Sequence, residues 1–227
     1  MEIASQDLIE QIQKIAAGKE QPFAVFDFDN TCIKGDIAEA AVSFLCKKGQ
    51  LSETIMHKYE QLLASGETQK AFLLYAAVLA GVAAADIDAI VAGAIATEGL
   101  ATRPSILDLA HALEKAGISI WIVSASPEIL VASAMRILGF PGHLIGLKND
   151  IVGGRLTDSV RPPFSILSGK VDCIKKHISA DQRPIFAIGD SMNDLPMLEY
   201  AACAAVIGRS SSLIEIARQN GWMIVPE

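Results

Sequence analysis

The stretch PFAVFDFDNT, residues 22–31, decides the fold. Pro22 restarts the chain after a polar segment, and PFAVFDF reads as a short buried strand. Its end carries Asp27-Phe28-Asp29-Asn30-Thr31, two carboxylates separated by one aromatic residue. In open α/β sheets, ligands bind outside the carboxyl ends of the strands. The ends of the other apolar runs therefore matter. ISIWIVS (118–124) is an unbroken apolar run, the pattern of a strand covered on both faces, and it ends in Ser124. PIFAIG (184–189) runs into Asp190-Ser191-Met192-Asn193-Asp194. Lys170 stands at the start of a helix expected from about Gly169 to His177.

Working outward, residues 1–20 read as an amphipathic helix, with Ile3, Leu8, Ile12 and Ile15 near helical spacing. A helix from Leu107 ends at Gly117, and another follows Pro127 and ends near Gly139. A short strand is expected at 143–146 and an extended hairpin arm with a glycine turn at 151–157. Further strands are expected at 204–207 and 222–225. Trp121 reads as core, and Met192 and Met197 as packing beside the acidic loop. Strands alternating with helices predict an α/β fold with a doubly wound parallel sheet. Residues 36–102 interrupt this alternation. That block reads as several helices broken near Gly49, Gly66, Gly81 and Gly93, inserted into one domain without a Pro- or Ser-rich tether.

Composition narrows the function classes. The chain has 227 residues, of which 51% are hydrophobic and 20% charged, which excludes a disordered or collagen-like protein. With 19 Lys and Arg against 26 Asp and Glu, the net charge of −7 provides no basic footprint for nucleic acid. The longest apolar run, Ala71 to Ala85, falls short of the roughly 20 residues that span a bilayer and reads as a buried helix. The opening residues lack the basic and apolar regions of a secretory signal. Cys32, Cys46, Cys173 and Cys203 have no paired spacing, which points away from a disulfide framework or zinc site and towards a reducing cytoplasm. His57, His111, His143 and His177 likewise lack metal-ligand spacing.

The chemistry follows from the strand ends. Asp27, Asp29, Asp190 and Asp194 converge on one sheet edge, and crowded carboxylates repel unless a cation compensates them. Mg²⁺ takes hard oxygen ligands and commonly retains waters and a substrate phosphate, and Lys170 adds a second positive charge. One aspartate can attack phosphorus and form an aspartyl-phosphate. The other, two residues along, can protonate the leaving alkoxide and later deprotonate water.

FDFDNT (26–31), IVSAS (122–126), Lys170 and GDSMND (189–194), in that order, resemble the four motifs of the haloacid dehalogenase superfamily. The resemblance covers about residues 22–210. It implies a Rossmann-like catalytic core (1–35 and 103–227) with an all-helical cap (36–102) inserted between the first two motifs. It further implies Asp27 as nucleophile and Asp29 as general acid/base. Thr31 would support the loop at the phosphate site, and Ser124, Ala125 and Lys170 would hold the phosphate. Mg²⁺ would be bound by the Asp27 carboxylate, the Asp29 main-chain carbonyl and Asp190, with Asn193 and Asp194 as support. The second Asp of the first motif marks phosphatases rather than dehalogenases.

The nearest branch is the phosphoserine-phosphatase-like one, which also includes phosphocholine and phosphoethanolamine phosphatases. At the position where phosphoserine phosphatase meets the substrate amine, this sequence has Asp36, which could equally cap a helix. No arginine lies between 32 and 102 to take the serine carboxylate, and Lys70 is the candidate stand-in. Ser124-Ala125-Ser126-Pro127 also departs from the usual Ser-Gly-Gly. The implied activity is hydrolysis of a small organic phosphate ester, with amine-bearing esters of the phosphoserine, phosphoethanolamine or phosphocholine type as candidates, by a monomer or homodimer. Transfer of the phosphoryl group to an acceptor other than water would use the same residues. A receiver-like signalling module is the alternative from another class, but receivers lack the second Asp and the long helical insert. A binding protein with a decayed site is disfavoured because every catalytic position is occupied.

Overall fold

A computed structural model describes residues 6–208 and 210–226. The chain runs α1 (Gln6–Ala16), β1 (Phe23–Phe26), β2 (Ile33–Lys34), α2 (Ile37–Lys47), α3 (Thr54–Ala64), α4 (Thr68–Ala77), α5 (Ile87–Glu98) and β3 (Ala101–Thr102). It continues α6 (Pro104–Lys115), β4 (Ser119–Pro127), α7 (Glu128–Leu138), β5 (His143–Val152), β6 (Arg155–Arg161), α8 (Gly169–His177) and β7 (Phe186–Gly189). It ends α9 (Leu195–Tyr200), β8 (Ala204–Ile207), α10 (Ser211–Gln219) and β9 (Met223–Val225). Among the described residues no helix is long and apolar enough to cross a membrane.

Seven strands form one sheet in the order β6-β5-β4-β1-β7-β8-β9. All neighbours are parallel except the β5–β6 pair. The apolar run of β1 places it at the centre, buried along its length. Ala24 and Phe26 face one core with Ile120, Ile122 and Phe186, beneath α1, α6 and α7. Phe23 and Val25 face the other with Val123 and Ala187, beneath α8, α9 and α10. Alternating side chains on a doubly covered strand require this two-sided burial.

The register places the chemistry. Phe26 is level with Ile122 of β4 and Ile188 of β7. Asp27, Ser124 and Asp190 therefore emerge within two residues of one level. The chain winds in opposite directions from β1, to β4 on one side and β7 on the other, and such a switch point opens a crevice.

Between β1 and α6 the chain leaves and returns side by side, since β2 and β3 pair antiparallel, with Ile33 opposite Thr102. This small sheet was not anticipated. Residues 37–98 between them are helical, with connecting loops and a short 3₁₀ turn at Ala84–Asp86. Gly49, Gly66 and Gly81 lie between helices, with φ of 69°, 79° and 87°, in the left-handed region that suits a residue without Cβ.

Several expectations need correction. Gly93 is not a break but lies inside α5, where a Cβ would fall 2.4 Å from Cζ of Phe44 on α2. Its glycine serves close helix packing. The apolar run Ala71–Ala85 is not one helix, because α4 ends at Ala77 and the chain turns to meet the β6 arm. There Gly81 N–H donates to the Leu156 carbonyl at 2.8 Å, and Leu156 N–H to Val82 at 2.9 Å. This bridge is made by main-chain groups, while Leu79 is buried in the core and Val78 and Val82 pack against it. The strand expected at 143–146 extends to Val152 and forms a hairpin with β6 around Gly153-Gly154. Trp121 is only partly buried, its ring 4.7 Å from that of His143. Met197 is buried, whereas Met192 is 40% exposed. On α1, Leu8 and Ile12 are buried as expected, and Ile3 lies outside the described residues.

Gly93→Val should cost about 1–3 kcal/mol of stability through overpacking. Urea denaturation would measure it, and a Phe44→Ala background should recover part of the loss. Equal losses in both backgrounds would break the proposed contact.

Candidate active site

Beyond Phe26 the strand stops and the backbone turns. Phe28 is fully buried, its ring edge-on to Phe140 at 6.4 Å, so it pins the loop between the two acids. Asn30 adopts φ 59° and its N–H donates to the Gly35 carbonyl at 2.8 Å. Arg103, buried beside the returning strand, donates from Nε to the Asn30 carbonyl at 3.3 Å. The loop is thereby tied to the stem of the helical segment.

Lys170 of α8 is completely buried, with Nζ 2.7 Å from Asp27 Oδ1 and 2.5 Å from Asp194 Oδ1. Lys175 and Lys176 of the same helix are not part of this contact. Asp194 Oδ2 accepts from Asp190 N–H at 3.1 Å, and from Ser191 N–H and Oγ at 3.0 and 3.1 Å. Gly189 makes this possible, because a Cβ there would lie 2.6 Å from Asp194 Cβ. Thr31, fully buried, donates to Asp190 Oδ1 at 3.4 Å. Asn193 accepts from Leu167 N–H at 2.7 Å, which ties the acidic loop to the approach of α8.

Asp29 has a separate set of partners. Its Oδ1 accepts from Ile37 N–H at 2.7 Å. Its Oδ2 accepts from Ser124 Oγ at 3.0 Å and Ser126 Oγ at 2.7 Å. Burial pushes the Asp27 carboxyl well above the usual range and Asp194 adds to the rise, while Lys170 opposes it. Burial also raises Asp29, but its three donors hold the rise back. Burial alone would lower Lys170, yet Asp194 and Asp27 outweigh it and keep the ammonium charged.

Above these groups lies a cavity of about 160 Å³. Asp27, Asp29, Ala125, Ser126, Asp190 and Asn193 line its sheet side, and Asp36, Glu39, Tyr59 and Phe72 line its helical side. Asp36 also caps α2, accepting from Glu39 N–H at 2.9 Å. Lys70 is not brought to the site. It sits on an exposed face of α4, paired one turn back with Glu67. Thr31, Ser124 and Lys170 are fully buried one contact beneath the lining, on Asp190, Asp29 and Asp27 respectively.

Ligand oxygens of Asp27, Asp190 and Asp194 lie within 4.8 Å of one another. Three carboxylates sharing one lysine retain an excess of negative charge, and a hard divalent cation suits such oxygen donors. Asp194 already accepts with both oxygens, so it fits a supporting role better than that of a ligand.

The profile of the haloacid dehalogenase-like hydrolase family matches residues 24–199, spanning all of these groups. The chain belongs to the haloacid dehalogenase-like hydrolases. A Mycobacterium leprae protein named as a hydrolase is 27% identical over 217 residues, covering 88% of this chain and 71% of that protein. Phosphoserine phosphatase SerB1 of Mycobacterium tuberculosis is 30% identical over 112 residues, 48% of this chain but only 36% of that enzyme. A substrate-bound phosphoserine phosphatase structure superposes with a TM-score of 0.66 at 17% identity, covering 91% of this chain and 93% of its own. That last likeness shows a common fold.

Several residues of this haloacid dehalogenase-like hydrolase escaped the sequence reading as site residues. Ser126 was visible in SAS but not its contact with Asp29. Tyr59, Phe72 and Glu39 reach the cavity from helices whose packing no local pattern reveals. In this hydrolase, Lys170→Met strands two buried carboxylates. The expected stability loss is about 3–5 kcal/mol, measured by urea unfolding without divalent cations. The loss should shrink as pH falls, because the stranded Asp27, whose carboxyl burial already raises, then protonates and stops repelling its neighbours. A pH-independent loss would contradict the charge argument.

Proposed function

We propose that this hydrolase cleaves small phosphate monoesters through an aspartyl-phosphate on Asp27. The observation that carries this reading is the division of labour between Asp27 and Asp29. Lys170 holds one at the base of the cavity, while two hydroxyls and a backbone amide hold the other. Two carboxylates in different settings can take different roles. Asp27 attacks phosphorus and its O–P bond forms as the ester P–O bond breaks, with Asp29 giving its proton to the leaving alkoxide. Water then attacks the phosphorus, Asp29 takes the water's proton, and the Asp27 O–P bond breaks. Ser124 and Lys170 steady the phosphoryl oxygens. Asp27, Asp190 and the Asp29 carbonyl would hold Mg²⁺, which would supply positive charge to the phosphate. The same groups would serve transfer to another acceptor, which product analysis separates from hydrolysis.

In this reading residues 36–102 act as a cap and shape the leaving-group end of the cavity. Asp36 and the rings of Tyr59 and Phe72 favour an organic ammonium head group, by charge and by cation–π attraction. Among the described residues no lysine, arginine or histidine lines the cavity, which disfavours a substrate carboxylate such as that of phosphoserine. Phosphoethanolamine- or phosphocholine-type esters therefore fit better.

Phosphate release with Mg²⁺ across a panel of esters tests the activity. Asp27→Asn should abolish turnover with the fold retained, and a chelator should abolish it reversibly. Turnover that survives in Asp27→Asn would remove Asp27 as nucleophile. Asp36→Asn keeps a good helix cap and removes only the charge. It should raise KM for ammonium-bearing esters about 10-fold or more, the scale of a charge-assisted contact. An equal change for neutral esters would sink the head-group assignment.

A further inference from the structure

We infer that Ser126 is the positioning residue for Asp29, acting when substrate occupies the cavity. The inference rests on the phosphatase reading above and adds a residue to it. Among the described residues three donors hold Asp29, and only Ile37 N–H reaches Oδ1. The hold on Oδ2 depends on two hydroxyls, Ser124 at 3.0 Å and Ser126 at 2.7 Å. A serine hydroxyl has one proton to donate. If Ser124 donates to a phosphoryl oxygen, it can no longer donate to Asp29. Ser126 then becomes the sole side-chain donor left on Oδ2.

The local geometry suits that division. Ser126 is 2% exposed, lines the cavity beside Ala125 and makes the shorter of the two bonds. Its N–H donates to Ser124 Oγ at 3.0 Å, so one residue orients both Ser124 and Asp29. The carbonyl of Ser124 in turn accepts from buried Ser165 Oγ at 2.6 Å, which fixes the strand end from the other side. Without the Ser126 hydroxyl, the substrate-bound Asp29 carboxyl is anchored through Oδ1 alone and can rotate away from the leaving oxygen.

Leaving-group dependence tests this. An alkyl alkoxide needs the proton from Asp29 as its P–O bond breaks, whereas p-nitrophenolate departs without one. Wild type and Ser126→Ala would be compared on an alkyl phosphate and on p-nitrophenyl phosphate. The expected result is a kcat/KM loss on the alkyl ester at least 10-fold larger than on the nitrophenyl ester, with Ser126→Thr restoring the ratio, since kcat/KM excludes the hydrolysis of the aspartyl-phosphate that both esters share. Equal kcat/KM losses on both esters, or no loss on either, would overturn the positioning role while leaving the phosphatase reading intact. Release from neither ester by wild type would overturn both. If Ser126→Ala does not fold, Ser126→Gly carries the same comparison.

Discussion

The buried ammonium of Lys170 is the constraint on which the rest of the site depends. It joins Asp27 at the end of β1 to Asp194 at the start of α9, two elements that could not otherwise approach without repulsion. Neighbouring glycines make room for it. A Cβ at Gly189 would collide with Asp194, and a Cβ at Gly169 would lie 2.0 Å from the Phe164 carbonyl oxygen. Removing such charges from water costs about as much as their attraction returns, so the cluster is a poor stabiliser of the fold. Its presence at a cavity floor therefore reflects chemistry rather than stability.

The sheet explains why these residues meet. A central strand, covered on both faces, has only its carboxyl end available to polar groups. The winding reverses at β1, so the neighbouring strands at that end belong to distant parts of the chain. Residues nearly 100 positions apart, such as Asp29 and Ser124, come within 3.0 Å because the register of β1 on β4 requires it. The loop after β1 supplies what the strand cannot, namely a turn that frees Asp29 from the alternation of an extended chain.

The meeting of the acidic motifs at one sheet edge was legible in the sequence because each motif follows an apolar run whose role is unambiguous. Strand, acid and helix are local patterns, and parallel topology then fixes their meeting point. Contacts between elements were not legible. Gly93 reads as a breaker in the sequence, since nothing local announces the Phe44 ring against it. The end of α4 at Ala77 is set by hydrogen bonds to Leu156, far along the chain. Lys70 suited a substrate carboxylate by type and position, but helical periodicity turns it outward to Glu67. Ser126 lies in a motif already read, yet its value depends on a side-chain direction at a strand end, where simple alternation fails.

The helical segment is fastened to the core at several points. The β2–β3 pair holds its ends, the β6 arm holds the α4–α5 connection, and Ser133 of α7 donates to Asp88 of α5 at 2.6 Å. The wall over the site is thus held to the core, and its charge is part of its shape. Burial raises the Asp36 carboxyl, and the nearby Asp29 and Glu39 raise it further. A neutral or anionic head group leaves that cost in place. A cationic head group relieves it, because the ionised carboxylate then has a partner in the same cavity. Selectivity would follow from one electrostatic rule applied at both ends: each end collects carboxylates, and each is satisfied by positive charge. On the proposed reading, that charge would be Lys170 together with a divalent cation at the floor, and the substrate itself at the roof.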